Sequence, residues 1–383
     1  MKRTAEANPI PNPTIHDVAR RASVGAATVS RVLNGSAPVS EETRQAVMSA
    51  IAELNYSPSH TARKFSLGKT LIISIIIPFF TRPSFVERLR GIDTVLAESE
   101  YDFIVFNVDK PDKRDQHFAD VPRRDRSDGV IIISLPTTDA DVACFARNDV
   151  PVILVDTQHT ALTSIAEDSI QGGEDATQHL IDLGHERIAY VNDILNDPLA
   201  HTSNASRHRL IGYRRALDRA GIKFRAEYHR SCYQDRPSTR VLGREMLSAP
   251  NRPSAIFAAS DTQALGMLEA ARDLNIRVPE ELSIVGYDDI ELAEYAGLTT
   301  MHQALFESGK RGAELMLQTL EGSLTKTIFE PSLTQLVVRN STCPPTKSGK
   351  RAHKRVRSAQ RVQNPLSASS AMMSSDSSSN LSE

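Results

Sequence analysis

Apolar positions near the N-terminus follow a helical spacing. Ile15, Val18, Ala19 and Ala22 recur at i, i+3, i+4 and i+7, which predicts a short helix with one apolar face. A threonine stands immediately before this stretch and an aspartate two residues after the first apolar position, an arrangement close to a capping box. The pattern therefore predicts a helix that begins directly after Thr14.

A second and a third helix follow at short intervals. Residues 23–25 form a tight turn, and residues 28–33 predict a helix that buries Val29 and Leu33 and stops at the Asn-Gly pair 34–35. Ser40 is a suitable N-cap for the third helix, whose first turn carries two glutamates and whose apolar positions again have helical spacing. Three short helices with shared apolar faces indicate a small helical domain over residues 14–56.

From residue 70 the pattern changes to short β-branched runs that alternate with amphipathic helical stretches. The predicted strands are 71–77, 103–108, 130–133, 152–155, 188–191, 255–259 and 282–285. The predicted helices between and after them include 85–98, 172–183, 209–220, 262–274 and 307–320. Continuous apolar strands separated by helices are typical of a parallel sheet buried on both faces. The fold class predicted for residues 70–343 is α/β, with two doubly wound parallel-sheet subdomains, and ligands bind such sheets at the carboxyl ends of strands.

Three other stretches lack this periodicity. Residues 1–13 contain three prolines and are expected to form a flexible leader, and residues 57–69 form a linker whose short helical stretch would be unstable alone. Residues 344–383 are basic and then serine-rich, a composition typical of disorder, and they contain no leucine heptads. This tail is either simply solvated or an additional nonspecific DNA contact.

The distribution of charge separates the head from the body. The chain has a net charge of -2, but its first 69 residues hold nine basic and five acidic side chains. A basic N-terminal segment on an acidic body is typical of a small DNA-binding head.

Several function classes lack their motifs. Cys144, Cys232 and Cys343 are far apart and lack metal-ligand spacing, which favours reduced thiols and a cytoplasmic location. No signal peptide follows Lys2-Arg3, and the apolar run 71–80 is too short to span a bilayer. No complete phosphate-binding loop, zinc-protease helix or dinucleotide fingerprint is present, so we expect no enzymatic activity, no cofactor, no metal and no membrane partner.

The sequence motifs carry a dense resemblance to one family. TIHDVA, TVSRVLNG, VSEETR, AIAELNYSP and TARKF follow one another within residues 14–68, and this segment resembles the DNA-binding head of the LacI/GalR family of bacterial transcriptional repressors. The segments HLIDLGHERIAYV, RLIGYRRAL, SDTQALG, VPEELSIVGYDDIELAEY and LTTMHQ resemble the family's periplasmic-binding-protein-like effector core. The resemblance covers residues 14–343 and implies a helix-turn-helix head, a hinge over residues 57–69 and a two-subdomain core.

The resemblance also implies which residues contact DNA. The second helix would lie in the major groove, with Ala26, Ala27, Thr28 and Arg31 facing base edges. The residues expected at phosphates are Thr14, Ser30, Asn34 and Arg44. Ala62 and Phe65 hold the hinge positions that insert into the minor groove, although the family more often has leucine where Phe65 stands. The alternatives are a solvated helix arginine for Arg31 and linker packing for Phe65.

The head departs from the family in its turn, where glycine and serine have exchanged places. Gly25 at the N-cap lacks a side-chain acceptor, and Ser23 occupies a site where glycine is common, which predicts a positive φ and a strained turn.

In the core, the resemblance implies an effector site between the subdomains. Arg209 and Asp288 match residues that bind an effector's polar groups, and charge-assisted bonds explain their suitability. Asp156, Ser260 and Gln303 are expected to face the same cleft. Phe79 and Phe85 follow the first strand, where stacking on the ligand and a hydrophobic rim or dimer contact are equally compatible with the sequence. Asp261 and Asp289 are expected to be structural.

These features together predict a cytoplasmic, sequence-specific DNA-binding repressor that acts as a homodimer. Its partners would be a pseudo-palindromic double-stranded operator and a small-molecule effector, such as a sugar or a related metabolite, bound between the core subdomains. The alternative is a stand-alone ligand-binding protein of the periplasmic type, although the basic helical head does not fit that function.

Overall fold

The computed structural model describes residues 13–34, 37–56, 69–194 and 205–346. The predicted leader up to residue 12, the hinge residues 57–68 with Ala62 and Phe65, and the tail from residue 347 lie outside the described residues. The side chain of Asn34 also lies outside them.

The head consists of three helices, α1 (Ile15–Arg21), α2 (Ala26–Asn34) and α3 (Glu41–Glu53). The backbone N–H of Thr14 donates to Asp17 Oδ2 at 2.9 Å, as a capping box requires, and Ser40 Oγ accepts from the N–H of Thr43 at 3.3 Å. The three apolar faces meet in a small cluster whose buried members are Val18, Ala19, Val29, Val47, Ala50 and Tyr56. Val29 is fully buried and Leu33 packs against this cluster, as the apolar spacing predicts.

The core contains twelve strands and nine helices among the described residues. In chain order these elements are β1 (Ile72–Pro78), α4 (Pro83–Leu96), β2 (Asp102–Val108), α5 (Pro111–Asp120), β3 (Gly129–Ile133), α6 (Asp139–Asn148), β4 (Val152–Val155), β5 (Thr163–Ala166), α7 (Ser169–Asp182), β6 (Ile188–Asn192), α8 (Ala205–Arg219), β7 (His229–Ser231), α9 (Arg236–Ser248), β8 (Ala255–Ala258), α10 (Asp261–Asp273), β9 (Ser283–Asp288), α11 (Glu291–Tyr295), β10 (Thr299–Gln303), α12 (Leu305–Leu320), β11 (Phe329–Pro331) and β12 (Thr334–Val337).

These strands form two six-stranded sheets, one in each subdomain. The first subdomain has the order β11-β5-β4-β3-β1-β2, and the second has the order β12-β10-β9-β8-β6-β7. All neighbouring strands are parallel except β12, which pairs antiparallel with β10. Isoleucine and valine predominate in the central strands of the first sheet, and Tyr190, Phe257 and Tyr287 add aromatic rings in the second. These side chains are buried because helices cover both faces of each sheet. The predicted α/β fold class is confirmed.

The chain passes between the subdomains three times. It leaves the first sheet after β5, returns after β10 to form α12 and β11, and crosses again between β11 and β12. The helix α12 packs closely on α4, where glycines allow the contact: a Cβ at Gly91 or Gly309 would lie 2.0 Å from the carbonyl oxygen of Phe306 or of Arg88, respectively. The returning segment is therefore an integral part of the first subdomain.

The sequence pattern located the seven predicted strands but not five short ones, β5, β7, β10, β11 and β12. The named helices likewise do not include α5, α6, α9 and α11. The missed strands have three to five residues and carry polar positions such as the buried Thr299 and Thr300, so they lack a continuous apolar run. These residues form strands because they pair with neighbouring strands, and such pairing cannot be recognised from the local sequence.

Candidate effector cleft and DNA-binding head

The carboxyl ends of strands from both sheets surround a small cavity between the subdomains. Its volume is about 50 Å³, and its lining consists of Arg82, Ser84, Phe85, Arg88, Ser134, Asp156, Asp193, Ala205, Ser206, Arg209, Gln234, Ala259, Gln263, Asp288 and Gln303. Parallel α/β sheets bring strand ends together in this way, and ligands bind at such positions. Most of the lining side chains are polar, so the cavity suits a polar ligand.

Arg88 connects the two subdomains across this cavity. It projects from α4, is 3% exposed, and its Nη2 lies 3.1 Å from Asp156 Oδ1 in its own subdomain. The same nitrogen donates to Gln303 Oε1, from the second sheet, at 3.0 Å. A buried cation needs such partners because burial removes its hydration. Arg88 therefore links the walls that the two subdomains contribute to the cavity.

Arg209 is the corresponding cation of the second subdomain. Its Nη1 donates to the carbonyl oxygen of Ala259 at 2.6 Å, and its Nη2 donates to Glu167 Oε1 at 3.1 Å. The guanidinium carbon lies 3.5 Å from the centre of the Tyr287 ring, which is a close cation–π contact. These contacts fix the orientation of Arg209 at the cavity wall.

Asp288 is the acidic residue between the two arginines. It accepts from Gln303 Nε2 at 2.6 Å and lies 4.0 Å from Arg209 Nη1. Burial raises the pKa of Asp288 to about 7, although Arg209 and Arg88 act in the opposite direction. The carboxyl group of Asp288 therefore changes its charge near neutral pH.

The cavity wall also contains unusual backbone conformations. Ser134, Asp156 and Asp288 have φ angles of 56°, 60° and 121°, which lie in the region that favours glycine. All three follow or end strands at the cleft, and the hydroxyl of Ser134 donates to Asp156. Residues held in such conformations are often found at binding sites.

Arg82 closes one side of the cavity. Its guanidinium contacts Gln234 and lies 3.9 Å from Asp193 Oδ2, both in the second subdomain, and it stacks on the Phe79 ring at 4.2 Å. Burial lowers the pKa of Arg82 from its usual value, so the nearby carboxylates compensate its charge incompletely.

The structure places five of the seven predicted effector residues in the cavity wall, namely Phe85, Asp156, Arg209, Asp288 and Gln303. The other two, Phe79 and Ser260, do not line it. Phe79 is covered by Arg82, and Ser260 caps α10 by accepting from the N–H of Gln263 at 3.3 Å.

As expected, Asp261 and Asp289 have structural roles. Asp261 accepts from the N–H of Ile290 at 3.0 Å, and Asp289 pairs with Arg339 at 2.7 Å.

The sequence pattern did not predict the other polar residues of the wall, which are Arg82, Ser84, Arg88, Ser134, Asp193, Ser206, Gln234 and Gln263. An arginine on an amphipathic helix usually lies in solvent, so nothing local distinguishes Arg88. The available signal for Arg82 was an Arg-Pro pair at the start of the helix that follows the first strand, because this loop lies at the carboxyl end of the strand.

A larger, open cavity of about 640 Å³ adjoins the small one and shares Ser134, Asp156 and Ala205 with it. Its other lining residues include Glu167 and His208. The small cavity is therefore close to solvent on this side.

In the head, the residues predicted to face DNA differ in exposure. Ala27, Arg31 and Arg44 are exposed, Thr28 and Ser30 are half-buried, and Ala26 packs against the head's apolar cluster. The hydroxyl of Thr14 donates to Asp17 at 2.7 Å, so this group already has an acceptor within the protein.

The turn before α2 has the predicted strain. Ser23 has a φ of 56°, whereas the neighbouring Gly25 has no atom within 4 Å of a would-be Cβ. A residue with a Cβ therefore holds the left-handed position, where glycine would be less strained.

In the described ranges, we find neither a group of three His, Cys, Asp or Glu side chains that could hold a metal ion nor a helix long and apolar enough to cross a membrane. The three cysteines are free.

Comparisons with known proteins agree with this architecture. Residues 14–59 match the model of bacterial regulatory proteins of the lacI family, and residues 177–342 match that of the periplasmic binding protein-like domain. Catabolite control protein A of Priestia megaterium is 32% identical over 329 residues, which cover 85% of this chain and 96% of that protein. The chain belongs to the lacI family of bacterial regulatory proteins.

Two further relatives extend this family assignment. The ribose operon repressor of Escherichia coli (strain K12) is 34% identical over 312 residues, which cover 80% of this chain and 93% of the repressor. The structure of the lac repressor dimer bound to operator and the anti-inducer ONPF has a TM-score of 0.75 and 29% identity, and the match covers 86% of this chain and 99% of that one. The lacI-family chain is thus an effector-controlled, DNA-binding regulator of transcription.

Proposed function

We propose that this lacI-family protein is a cytoplasmic, homodimeric repressor that binds a pseudo-palindromic operator. Its affinity for the operator falls or rises when an effector binds. Residues 14–56 form the DNA-binding domain, residues 57–69 the hinge, and residues 70–343 the effector-binding and dimerisation core. The observation that carries the proposal is the meeting of Asp156, Arg209, Asp288 and Gln303 at one interdomain cavity. The name of the Escherichia coli relative, the ribose operon repressor, supports the same function.

The effector is a compact polyhydroxylated molecule, such as a sugar or a sugar derivative. Hydroxyl groups donate to carboxylates and accept from guanidinium groups, and Asp156, Asp288, Arg88 and Arg209 offer both kinds of partner. Phe85 supplies an apolar ring at the same wall. The adjoining open cavity of about 640 Å³, which shares Ser134 and Asp156 with this wall, gives such a ligand access from solvent.

Control of DNA binding follows from the connection between the subdomains. Arg88, Gln303 and Asp288 form a continuous polar contact across the cleft, and a ligand that replaces these contacts changes the relative stability of the open and closed arrangements. An effector shifts such an equilibrium only if it binds the two arrangements with different affinity. The change reaches DNA through the dimer and the hinge.

At the operator, Arg31, Ala27 and Thr28 lie at base edges, while Ser30, Arg44, Thr14 and Asn34 lie at phosphates. Ala26 is a weaker candidate for base contact because it packs inside the head. Ala62 and Phe65 insert into the minor groove from the hinge. Specificity therefore depends mainly on Arg31, since a bidentate arginine–guanine contact discriminates by about 1–3 kcal/mol.

The test uses the full-length protein and an operator selected from random DNA. Arg31→Ala should weaken binding to the selected site at least tenfold and leave binding to unrelated DNA nearly unchanged, whereas Arg44→Ala should weaken both. Fluorescence anisotropy at fixed salt measures both affinities. Failure to select any site would refute the operator proposal, and equal losses for Arg31→Ala on the two DNAs would move Arg31 to the phosphate-binding class.

A further inference from the structure

Two helices begin at the small cavity, one from each subdomain. Ser84, Phe85 and Arg88 come from the first turns of α4, and Ser206 and Arg209 come from the first turns of α8. The helix dipole places partial positive charge at a helix N-terminus, and α4 has no side chain that caps this end. Two helix ends that meet at one cavity favour an anion between them.

The same walls hold hydrogen-bond donors that lack a protein acceptor. Arg88 Nε, Arg209 Nε and Ser206 Oγ are buried and have no hydrogen-bond partner among the described residues. These three residues are 3%, 6% and 9% exposed. An unsatisfied buried donor costs about 1–3 kcal/mol, so an acceptor that a ligand brings to any of these atoms would be stabilising.

The carboxylates of Asp156 and Asp288 do not supply those acceptors. Asp156 is occupied by Arg88 and Ser134, and Asp288 accepts from Gln303. Arg82 is the third arginine of the wall, and its nearest carboxylate, on Asp193, is 3.9 Å away. Arg88 and Arg209 are thus anchored by these partners, whereas their Nε atoms have no acceptor among the described residues.

We infer that the effector is an anionic polyol, whose carboxylate or phosphate group binds between the N-termini of α4 and α8, held by Arg88, Arg209 and Ser206. This inference rests on the proposed effector function of the cleft and narrows its ligand class from sugars in general to sugar acids or sugar phosphates. The hydroxyl groups of the same ligand face Asp156, Asp288 and Gln303. Guanidinium groups bind both anion types through charge-assisted hydrogen bonds.

The experiment is isothermal titration calorimetry of the full-length protein with two matched pairs of probes. The pairs are D-glucuronate with D-glucose and D-ribose 5-phosphate with D-ribose. We expect the anionic member of at least one pair to bind at least ten times more tightly than its neutral parent, as a charged hydrogen bond implies. Preference within the first pair identifies a carboxylate ligand, and preference within the second identifies a phosphate ligand.

Three variants test the residues. Arg88→Met removes one cation and should reduce the preference for the anion at least tenfold. Ser206→Ala removes a hydroxyl that has no hydrogen-bond partner in the protein, so it should fold normally and still weaken anion binding several-fold. Arg311→Met is the control, because Arg311 pairs with Glu330 and Glu314 outside this cavity, and it should leave both affinities unchanged.

The inference is overturned if neither anionic probe binds, if the neutral parents bind as tightly in both pairs, or if the preference persists unchanged in Arg88→Met and Ser206→Ala. These measurements contain no DNA. Their failure therefore leaves the operator proposal standing, and a failure to bind operator leaves the ligand inference standing.

Discussion

Replacing Arg209 with methionine should destabilise the core by about 3–5 kcal/mol, because it leaves buried carboxylates without their cation. The side chains of Arg209, Glu167 and Asp288 are 8%, 4% and 7% exposed, so water cannot replace the lost contacts. Methionine retains an apolar stem, which limits the loss of packing over Tyr287. Most of the loss is therefore electrostatic.

The comparison that isolates this effect combines two further variants. Arg209→Met with Glu167→Gln removes the carboxylate charge nearest to Arg209 and should recover at least about 1 kcal/mol relative to Arg209→Met alone. Arg311→Met breaks a more exposed pair with Glu330 and should cost at most about 1 kcal/mol.

Urea unfolding followed by far-UV circular dichroism measures these differences, and it suits a chain that contains no tryptophan. A buried, charge-compensating role for Arg209 is refuted if Arg209→Met costs no more than Arg311→Met, or if the double variant is no more stable than Arg209→Met. The effector response of Arg209 variants is therefore measured without urea, below the temperature at which the variant core unfolds.

Two more predictions concern stability. Burial raises the pKa of Asp288 from 3.8 to about 7, so between these pH values the folded protein holds a proton that the unfolded chain has released. The free energy of unfolding should therefore fall as pH rises through this window. Asp288→Asn should make the urea midpoint less dependent on pH, and an unchanged dependence would contradict the assignment. Gly309→Ala places a Cβ 2.0 Å from the carbonyl oxygen of Arg88, so it should push α12 away from α4 and cost about 1–3 kcal/mol of stability. Gly322→Ala is the control for backbone strain, because a Cβ there would have no atom within 4 Å but the φ is 77°. Equal losses in the two variants would exclude the helix contact as the cause.

The sequence was sufficient for the architecture wherever structure depends on local patterns. Helical spacing and caps located α1 to α3, and continuous apolar runs located the central strands. Pairing partners were not readable. The sequence therefore did not predict β10, with its buried Thr299 and Thr300, or the short β11. These residues form strands because they pair with β9 and β5, respectively, and β11 lies in a segment that returns to the first sheet.

The cleft was predictable in part. Asp156, Asp288 and Gln303 stand at strand ends, where the fold exposes side chains to a ligand, and motif resemblance identified them together with Arg209. Arg88 could not be identified in this way, since it lies inside a helix and its burial depends on partners 68 and 215 residues away. Ser260 illustrates the converse. It does follow a strand, as predicted, but its hydroxyl caps α10 by accepting from the N–H of Gln263, and it does not line the cavity.

The return of the chain after β10 affects the order in which the protein can be completed during synthesis. The first subdomain contains β1 to β5, but α12 covers α4 and β11 pairs with β5. A nascent chain that has been translated only to residue 304 has every residue of the helical head, yet the apolar faces that α12 covers in the finished protein are still open. Prematurely terminated chains of this kind would expose those faces to chaperones and proteases. A complete effector domain therefore requires translation to continue well beyond the residues that read DNA.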